Sequence, residues 1–318
     1  MRRGVVFEEM GKLLGALVDP APGSSYPNPA VDLYVAAWFA VSLFVINWSL
    51  RLFVVMPLAH VVLRRKARKS QVIKFAQASM ELAFYGSFAA LGTVIVPAQP
   101  WIWPSKHWWI NFSSGEHSLM RDDLRCYYVL YGARYVQGVV SVLLEFRRKD
   151  FAEMVVHHVV TVAVVAISYL YGWNRVGAVV MLLLDPADVP LHFAKLVKYV
   201  SEARAKINPK ISAVCAFSAD RIFEFFAVVF FVTRVAMYPY VCWSAHIEAT
   251  RYFPKGIPEW TCVALLETLY ALQCYWFFLI IKVAIHMIRT GHAEDVRSDD
   301  DEDEPPNGEV GSRPLKED

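Results

Sequence analysis

The sequence predicts an all-α polytopic membrane protein of about seven transmembrane helices, and three observations carry that expectation. Apolar residues make up 56% of the 318 positions and charged residues 19%, against about 45–50% and about 25% in an ordinary globular chain. Mean hydropathy is +0.34. Seven windows approach the ~20 mostly apolar residues that a bilayer demands: 31–50, running on toward 63, then 75–97, 124–145, 151–171, 176–195, 212–238 and 261–285. Lipid offers backbone groups no partner, so each window has to be helical. This composition excludes a disordered, collagen-like or disulfide-scaffold chain. With Lys+Arg 32 against Asp+Glu 30, it also excludes a nucleic-acid binder driven by bulk charge.

Residues 1–30 read as a short N-terminal segment. Arg2 and Arg3 look like the start of a signal peptide, but Glu8, Glu9 and Lys12 interrupt any apolar run behind them, so no cleaved leader is expected. The stretch from Val31 has no small-residue cleavage site and reads as the first transmembrane helix, 31–63. Residues 64–290 carry six further spans. Beyond them the run Asp299-Asp300-Asp301-Glu302-Asp303-Glu304 and Pro305-Pro306 cannot build a core, so 291–318 reads as an acidic, disordered tail. Ser298 directly precedes the acidic run, the setting of an acid-directed kinase; a merely solvating tail explains the run equally well.

The Lys/Arg bias orients the spans. Arg64, Arg65, Lys66, Arg68, Lys69 and Lys74 follow the first span, Arg147, Arg148 and Lys149 the third, and Lys195, Lys198, Arg204, Lys206 and Lys210 the fifth, fourteen in all. Loops on the other side hold five: Lys106, Arg121, Arg175, Arg251 and Lys255. The richer side is expected to be cytosolic, with the N-terminus luminal and the C-terminus cytosolic. Asn111-Phe112-Ser113 is a glycosylation sequon on the luminal side. Trp101, Trp103, Trp108 and Trp109 cluster beside it, either as an interfacial belt or as a loop packed on the bundle. The five cysteines lie in or beside spans without metal-finger spacing. Free thiols are the plain expectation, and a Cys242–Cys262 disulfide in an oxidising lumen is the alternative.

Ionisable residues inside spans are costly and mark function. In the fourth window His157 and Thr161 are i,i+4 and His158 and Thr161 are i,i+3, so the three can line one wall of a cavity. Structural histidines bonded to neighbouring helices are the plainer alternative. The fifth window reads Leu184-Asp185-Pro186-Ala187-Asp188-Val189-Pro190-Leu191-His192. Each proline removes an amide donor, and a broken helix with two carboxylates is tolerated where it lines a wet or buried cavity. Aspartates capping the freed amides, Asp185 before Pro186 above all, fit the same residues. The two spans run antiparallel through Gly172-Trp173-Asn174. His157 lies seven residues past Asp150 and Asp188 seven before Lys195, so at about 1.5 Å per residue both sit roughly 10 Å deep from one face. The mouth there is ringed by Arg147, Arg148, Lys149, Lys195 and Lys198, which either hold phosphates or only satisfy the positive-inside rule. Asp220, Arg221, Glu224 and Arg234 in the sixth window read first as structural ion pairs and second as substrate contacts.

Histidine is the usual proton shuttle or nucleophile near neutral pH, and a carboxylate can fix its tautomer. A basic mouth, imidazoles inside and apolar walls beyond suit an acyl thioester of coenzyme A. Its phosphates would rest on Arg148, Lys149 and Lys195, its thioester beside the histidines, its chain in the bundle. The acceptor is then a second lipid with an amine or hydroxyl. One histidine deprotonates the acceptor or first takes the acyl group, and the other polarises the carbonyl. No metal site and no permanently bound cofactor is expected; fatty acyl-CoA enters as co-substrate.

Together, His157-His158-Val159-Val160-Thr161, Ser168-Tyr169, Asn174-Arg175-Val176-Gly177, Leu184-Asp185-Pro186-Ala187-Asp188-Val189, Ala194-Lys195 and Tyr199 resemble the Lag motif of the ceramide synthases, within the TLC-domain superfamily. Arg148-Lys149-Asp150-Phe151, Arg234 with Tyr238-Pro239, Leu272-Gln273 with Trp276 and Leu279-Ile280, and Glu294-Asp295-Val296-Arg297-Ser298-Asp299 extend the similarity over residues 51–304. The resemblance implies a six-helix TLC-type domain at 64–290 around a lipid tunnel. It implies an endoplasmic-reticulum N-acyltransferase joining a fatty acyl-CoA to a sphingoid base, with His157, His158, Asp185 and Asp188 as the active-site set. Acyl-CoA, sphingoid base and membrane lipids are the implied partners, and a homodimer or a regulatory subunit stays open. Where the family usually has His-Asp this chain has Leu184-Asp185, and Pro190 and His192 replace the usual apolar and acidic residues. Two readings compete. One is a lipid-binding or lipid-moving TLC protein without activity, which Leu184 favours and the retained histidines and aspartates oppose. The other is a histidine-box di-iron hydroxylase or desaturase, which needs more histidines at box spacings than His157, His158 and His192 supply.

Overall fold

Helix occupies every window that the sequence predicts. The computed structural model describes residues 3–63, 68–144 and 150–290. Helix α2 (Pro29–Leu50) opens with Pro29 at its first position, behind an Asn28 cap whose side chain accepts from the Val31 N–H. It runs through a π turn, Arg51–Val55, into α3 (Met56–Val62). Then follow α4 (Lys69–Ile95), α5 (Asp122–Leu144), α6 (Phe151–Leu170), α7 (Asn174–Leu184), α8 (Asp188–Arg204), α9 (Pro209–Phe230), α10 (Tyr238–His246) and α11 (Ile257–Thr290). Among the described residues six continuous helical segments are long and apolar enough to cross a membrane: 29–62, 69–95, 151–170, 174–204, 209–251 and 257–289. The window at 124–145 differs. Its helix, α5, starts two residues earlier, runs over 23 residues and carries Asp122, Asp123, Arg125 and Arg134, all buried. Such charge is tolerated because α5 packs against α1, α2, α4 and α6 and turns most of its surface to protein. The chain is an all-α, multi-pass membrane protein.

Two features go beyond the windows. Helix α1 (Arg3–Ala16) packs Val6 and Leu13 against Val31, Val35 and Phe39 of α2 and Cys126 and Ala133 of α5. Leu13 is wholly buried, which contributes on the order of 2 kcal/mol. A two-residue antiparallel pair, β1 (Ser24–Ser25) with β2 (Met120–Arg121), joins the segment after α1 to the start of α5. The tryptophan loop packs on the bundle: Trp108 and Trp109 are buried, and Trp109 Nε1 donates to Ser244 Oγ at 2.8 Å. Trp103 stays exposed. Asn111 of the sequon is exposed, in the left-handed region at φ 63°. Cys242 and Cys262 are both buried free thiols, so the disulfide alternative does not hold. Arg64, Arg65, Lys66, Arg147, Arg148, Lys149, Ser298 and the tail from 291 lie outside the described residues.

Candidate functional site

Local sequence sets the site. Helix α6 turns His157, His158, Thr161, Val164, Val165 and Ser168 inward and leaves Val156 and Val159 exposed, the period of an amphipathic helix. Opposite it, Pro186 interrupts the ladder, so Asp185–Ala187 winds as a 3-10 turn and the Asp188 N–H bonds Asp185 O. The Leu184 carbonyl is left over, and Arg234 takes it through Nε at 3.2 Å and through Nη2. The same Nη2 holds Asp188 Oδ2 at 2.6 Å, and Nη1 donates to Gln273 Oε1 at 3.1 Å. Arg234 belongs to a π turn, Phe231–Met237, between α9 and α10. It is the structural ion pair that the sequence suggests, and its partner is a site carboxylate. Arg221 pairs with Glu224, both exposed.

His157, His158, Asp188, His192 and Lys195 converge on one cavity of about 110 Å³, with Trp276 of α11 and Glu81 and Tyr85 of α4. The two imidazoles stand nearly perpendicular, centroids 5.5 Å apart. Trp276 holds the His157 ring edge-on at 5.2 Å, and Tyr135 lies 5.5 Å from His158. His158 Nδ1 lies 2.8 Å from the Met154 carbonyl. A carbonyl only accepts, so the proton sits on Nδ1 and Nε2 keeps the lone pair that a base needs. His157 Nδ1 has no hydrogen-bond partner among the described residues. The Thr161 hydroxyl turns back to donate to His157 O at 2.7 Å. A second, narrow cleft of about 30 Å³ starts at His157 and Tyr135 and passes Thr161, Val164 and Leu184 to Ser168. His157 therefore lies on both spaces.

Asp185 is brought near but stands apart: buried, it accepts from Tyr131 Oη at 2.9 Å and does not line the cavity. Neither α7, the 3-10 turn nor α8 has a side-chain cap bond, so the capping alternative fails. His192 stacks on Tyr85 at 5.4 Å. Among the described residues no group of three His, Cys, Asp or Glu side chains is placed to hold a metal ion. Of the phosphate-binding set only Lys195 can be placed; Arg148 and Lys149 lie outside the described residues.

Sequence reasoning missed Glu81, Tyr85, Arg134, Tyr135 and Trp276 as site residues. A signal existed for two of them. Glu81 is the one charge in window 75–97, and Arg134 lies in mid-window in 124–145; isolated ionisable groups at such positions mark function. They pair at 3.4 Å.

A family model described as the TLC domain matches residues 74–282. The chain is 29% identical to ceramide synthase 4 of Bos taurus, over 78% of this chain and 59% of that protein. It is 30% identical to ceramide synthase 4 of Mus musculus, over 75% and 57%, and 25% identical to ceramide synthase LOH2 of Arabidopsis thaliana, over 89% and 97%. The chain thus spans less than two thirds of the length of the two mammalian proteins. The family match covers well over half of this sequence and holds every site residue described above, and the chain belongs to the TLC-domain family.

Proposed function

We propose that this chain is a ceramide synthase, transferring a fatty acyl group from coenzyme A to the amine of a sphingoid base. The observation that carries the reading is His157, beside His158, lining both a cavity with charged and polar side chains on its wall and an apolar cleft. The names of the relatives point the same way. The thioester lies beside His157, where the apolar cleft begins, and the coenzyme phosphates at the mouth near Lys195, with Arg148 and Lys149 as further candidates. The acceptor enters as an ammonium, and His158 Nε2 takes the first of its three protons; one of the other two stays on the amide nitrogen. The nitrogen attacks the thioester carbonyl, a C–N bond forms and the C–S bond breaks. The second amine proton leaves with the thiolate as coenzyme A thiol. Asp188 balances Arg234 at the cavity wall, and Asp185 orders Tyr131 behind it. The protein resides in the endoplasmic-reticulum membrane, N-terminus luminal and C-terminus cytosolic, so the mouth meets cytosolic acyl-CoA.

A second reading, a weakly active or inactive lipid-binding or lipid-transporting member, is favoured by Leu184, which puts an apolar side chain where the family usually has histidine. A microsomal assay with acyl-CoA and sphinganine separates the two. Ceramide from the native chain, with a loss of roughly a hundredfold or more in His157→Ala and His158→Ala, is expected. A folded native chain that makes no ceramide overturns the enzyme reading.

A further inference from the structure

The cavity has two walls, and only one holds the histidines. The other is a stripe of α4 in which Gln77, Glu81 and Tyr85 follow at i, i+4 and i+8. Among the described residues that line the cavity, Glu81 and Asp188 are the two carboxylates. Asp188 is engaged by Arg234 at 2.6 Å. Glu81 is held loosely: Arg134 Nη2 stands 3.4 Å away, beyond the ~2.7–2.9 Å of a charge-assisted bond. The Arg134 guanidinium instead lies over the Tyr85 ring, 4.4 Å from its centroid. The Glu81 side chain keeps 29% of its surface accessible although it lies in the middle of an apolar helix, and His158 is within its electrostatic reach. A carboxylate so placed, backed by a cation it does not fully engage, can accept a hydrogen bond from an incoming positive group.

We propose that Glu81 is the recognition site for the ammonium group of a long-chain amine, holding it opposite the two histidines. The identity of that amine as the sphingoid acceptor rests on the function proposed above. Glu81 touches the acceptor and takes no part in bond making. The ammonium gives one proton to His158 Nε2 before attack; the carboxylate keeps the nitrogen in place while its charge is lost.

The test uses the full chain in microsomes and a sphingoid base carrying a photoreactive diazirine. Labelling is competed with sphinganine and with its deaminated diol analogue. A charge-assisted bond predicts that the amine competes at roughly ten- to a hundredfold lower concentration than the diol in the native chain. In Glu81→Gln the two competitors converge, and Glu81→Asp recovers part of the difference. Under turnover, Glu81→Gln raises KM for sphinganine and leaves KM for acyl-CoA near native. Equal competition by amine and diol in the native chain overturns the proposal, as does an amine preference that survives Glu81→Gln. A native chain that makes no ceramide but still prefers the amine overturns the acyl-transfer reading and supports the ammonium site, so the two failures are distinct. If both variants fail to fold, equal competition by amine and diol in the native chain still overturns the proposal.

Discussion

Arg125 and Arg134 sit nine residues apart on α5, about 14 Å along one helix, and both are buried. Their surroundings are opposite. Arg125 is saturated: Nη1 donates to Glu9 at 2.6 Å and to Ser25 at 3.0 Å, Nε to Tyr169 at 3.3 Å, and Nη2 to Asp32. Tyr169 closes the network by donating to the other Asp32 oxygen at 2.7 Å. These bonds tie α1, α2, α5 and α6 together. Arg134 lies among aromatic rings and makes one long hydrogen bond, to Glu81, and its Nε has no hydrogen-bond partner among the described residues. A charge network that serves architecture closes on itself. The Arg134–Glu81 pair beside the cavity leaves capacity unused, which the ammonium proposed above would fill.

The largest expected effect follows from the closed network. Arg125→Met leaves Asp32, 3% exposed, as a buried charge without its cation, which costs about 3–5 kcal/mol. The thermal midpoint in detergent is expected to fall steeply, while the turnover of protein that remains folded stays near native. Arg134→Met is expected to show the reverse balance, a small shift in midpoint and a large loss of turnover. If Arg134 proves the more destabilising position, the distinction between the two networks is broken.

Next in size is a change beside the histidines. A Cβ on Gly138 falls 2.8 Å from His158 Cδ2 and 3.0 Å from Nε2, so Gly138→Ala pushes the imidazole aside. A displacement on the order of 1 Å costs up to about a hundredfold in rate, and turnover is expected to drop by roughly ten- to a hundredfold with KM for acyl-CoA little changed. Gly132, one and a half turns earlier, is the control: its Cβ meets only Val165 Cγ1, at 3.4 Å, and Gly132→Ala is expected to keep near-native rates.

Leu184→His probes the departure from the family pattern. Leu184 borders the cleft that His157 also lines, and Arg234 holds the Leu184 backbone carbonyl, so its side chain can change without breaking that bond. An added imidazole in a site that already has two is expected to raise ceramide formation by about tenfold or less. Unchanged turnover would mean that the site has compensated for the substitution.

Much of this was legible beforehand, for one physical reason. Polar residues inside spans stand out against apolar neighbours, so His157, His158, Asp188 and His192 announced themselves, and the period of α6 put the histidines on one face. Asp185 obeyed the same logic, but its carboxylate accepts from Tyr131 and stays off the cavity. The aromatic wall of Tyr85, Tyr135 and Trp276 was illegible, since aromatic residues are as much at home in any membrane core. Helix α1 escaped notice because only its Val6, Leu13 and Ala16 are buried, too few for an apolar run. His157 and Asp188 fall at one level because antiparallel helices with a short link share a register; no such link ties α4 to α6, so Glu81, though a lone charge in its window, could not be placed beside the histidines.

The smallest expected effect concerns a third buried ionisable group, in the loop over the far end of the bundle. His117 is 2% exposed. Its Nε2–H donates to Ile110 O at 2.7 Å, and its own carbonyl accepts from Asn174 Nδ2 at 2.6 Å, joining the loop to the start of α7. Burial, aided by nearby Arg175, pushes its pKa from the ordinary 6.5 down to about 4. The sign follows from which form each state prefers. The unfolded chain takes up a proton as pH falls through 6.5, whereas the folded loop refuses it until about 4, so this stabilisation is complete above 6.5 and fades between the two values. Thermal midpoints measured across that window are expected to slope downward with falling pH in the native chain and to flatten in His117→Gln. Equal slopes would mean that the loop opens before the histidine titrates. His117 would then be closed architecture only in form, and the contrast between sealed and unfilled networks would narrow to the membrane interior.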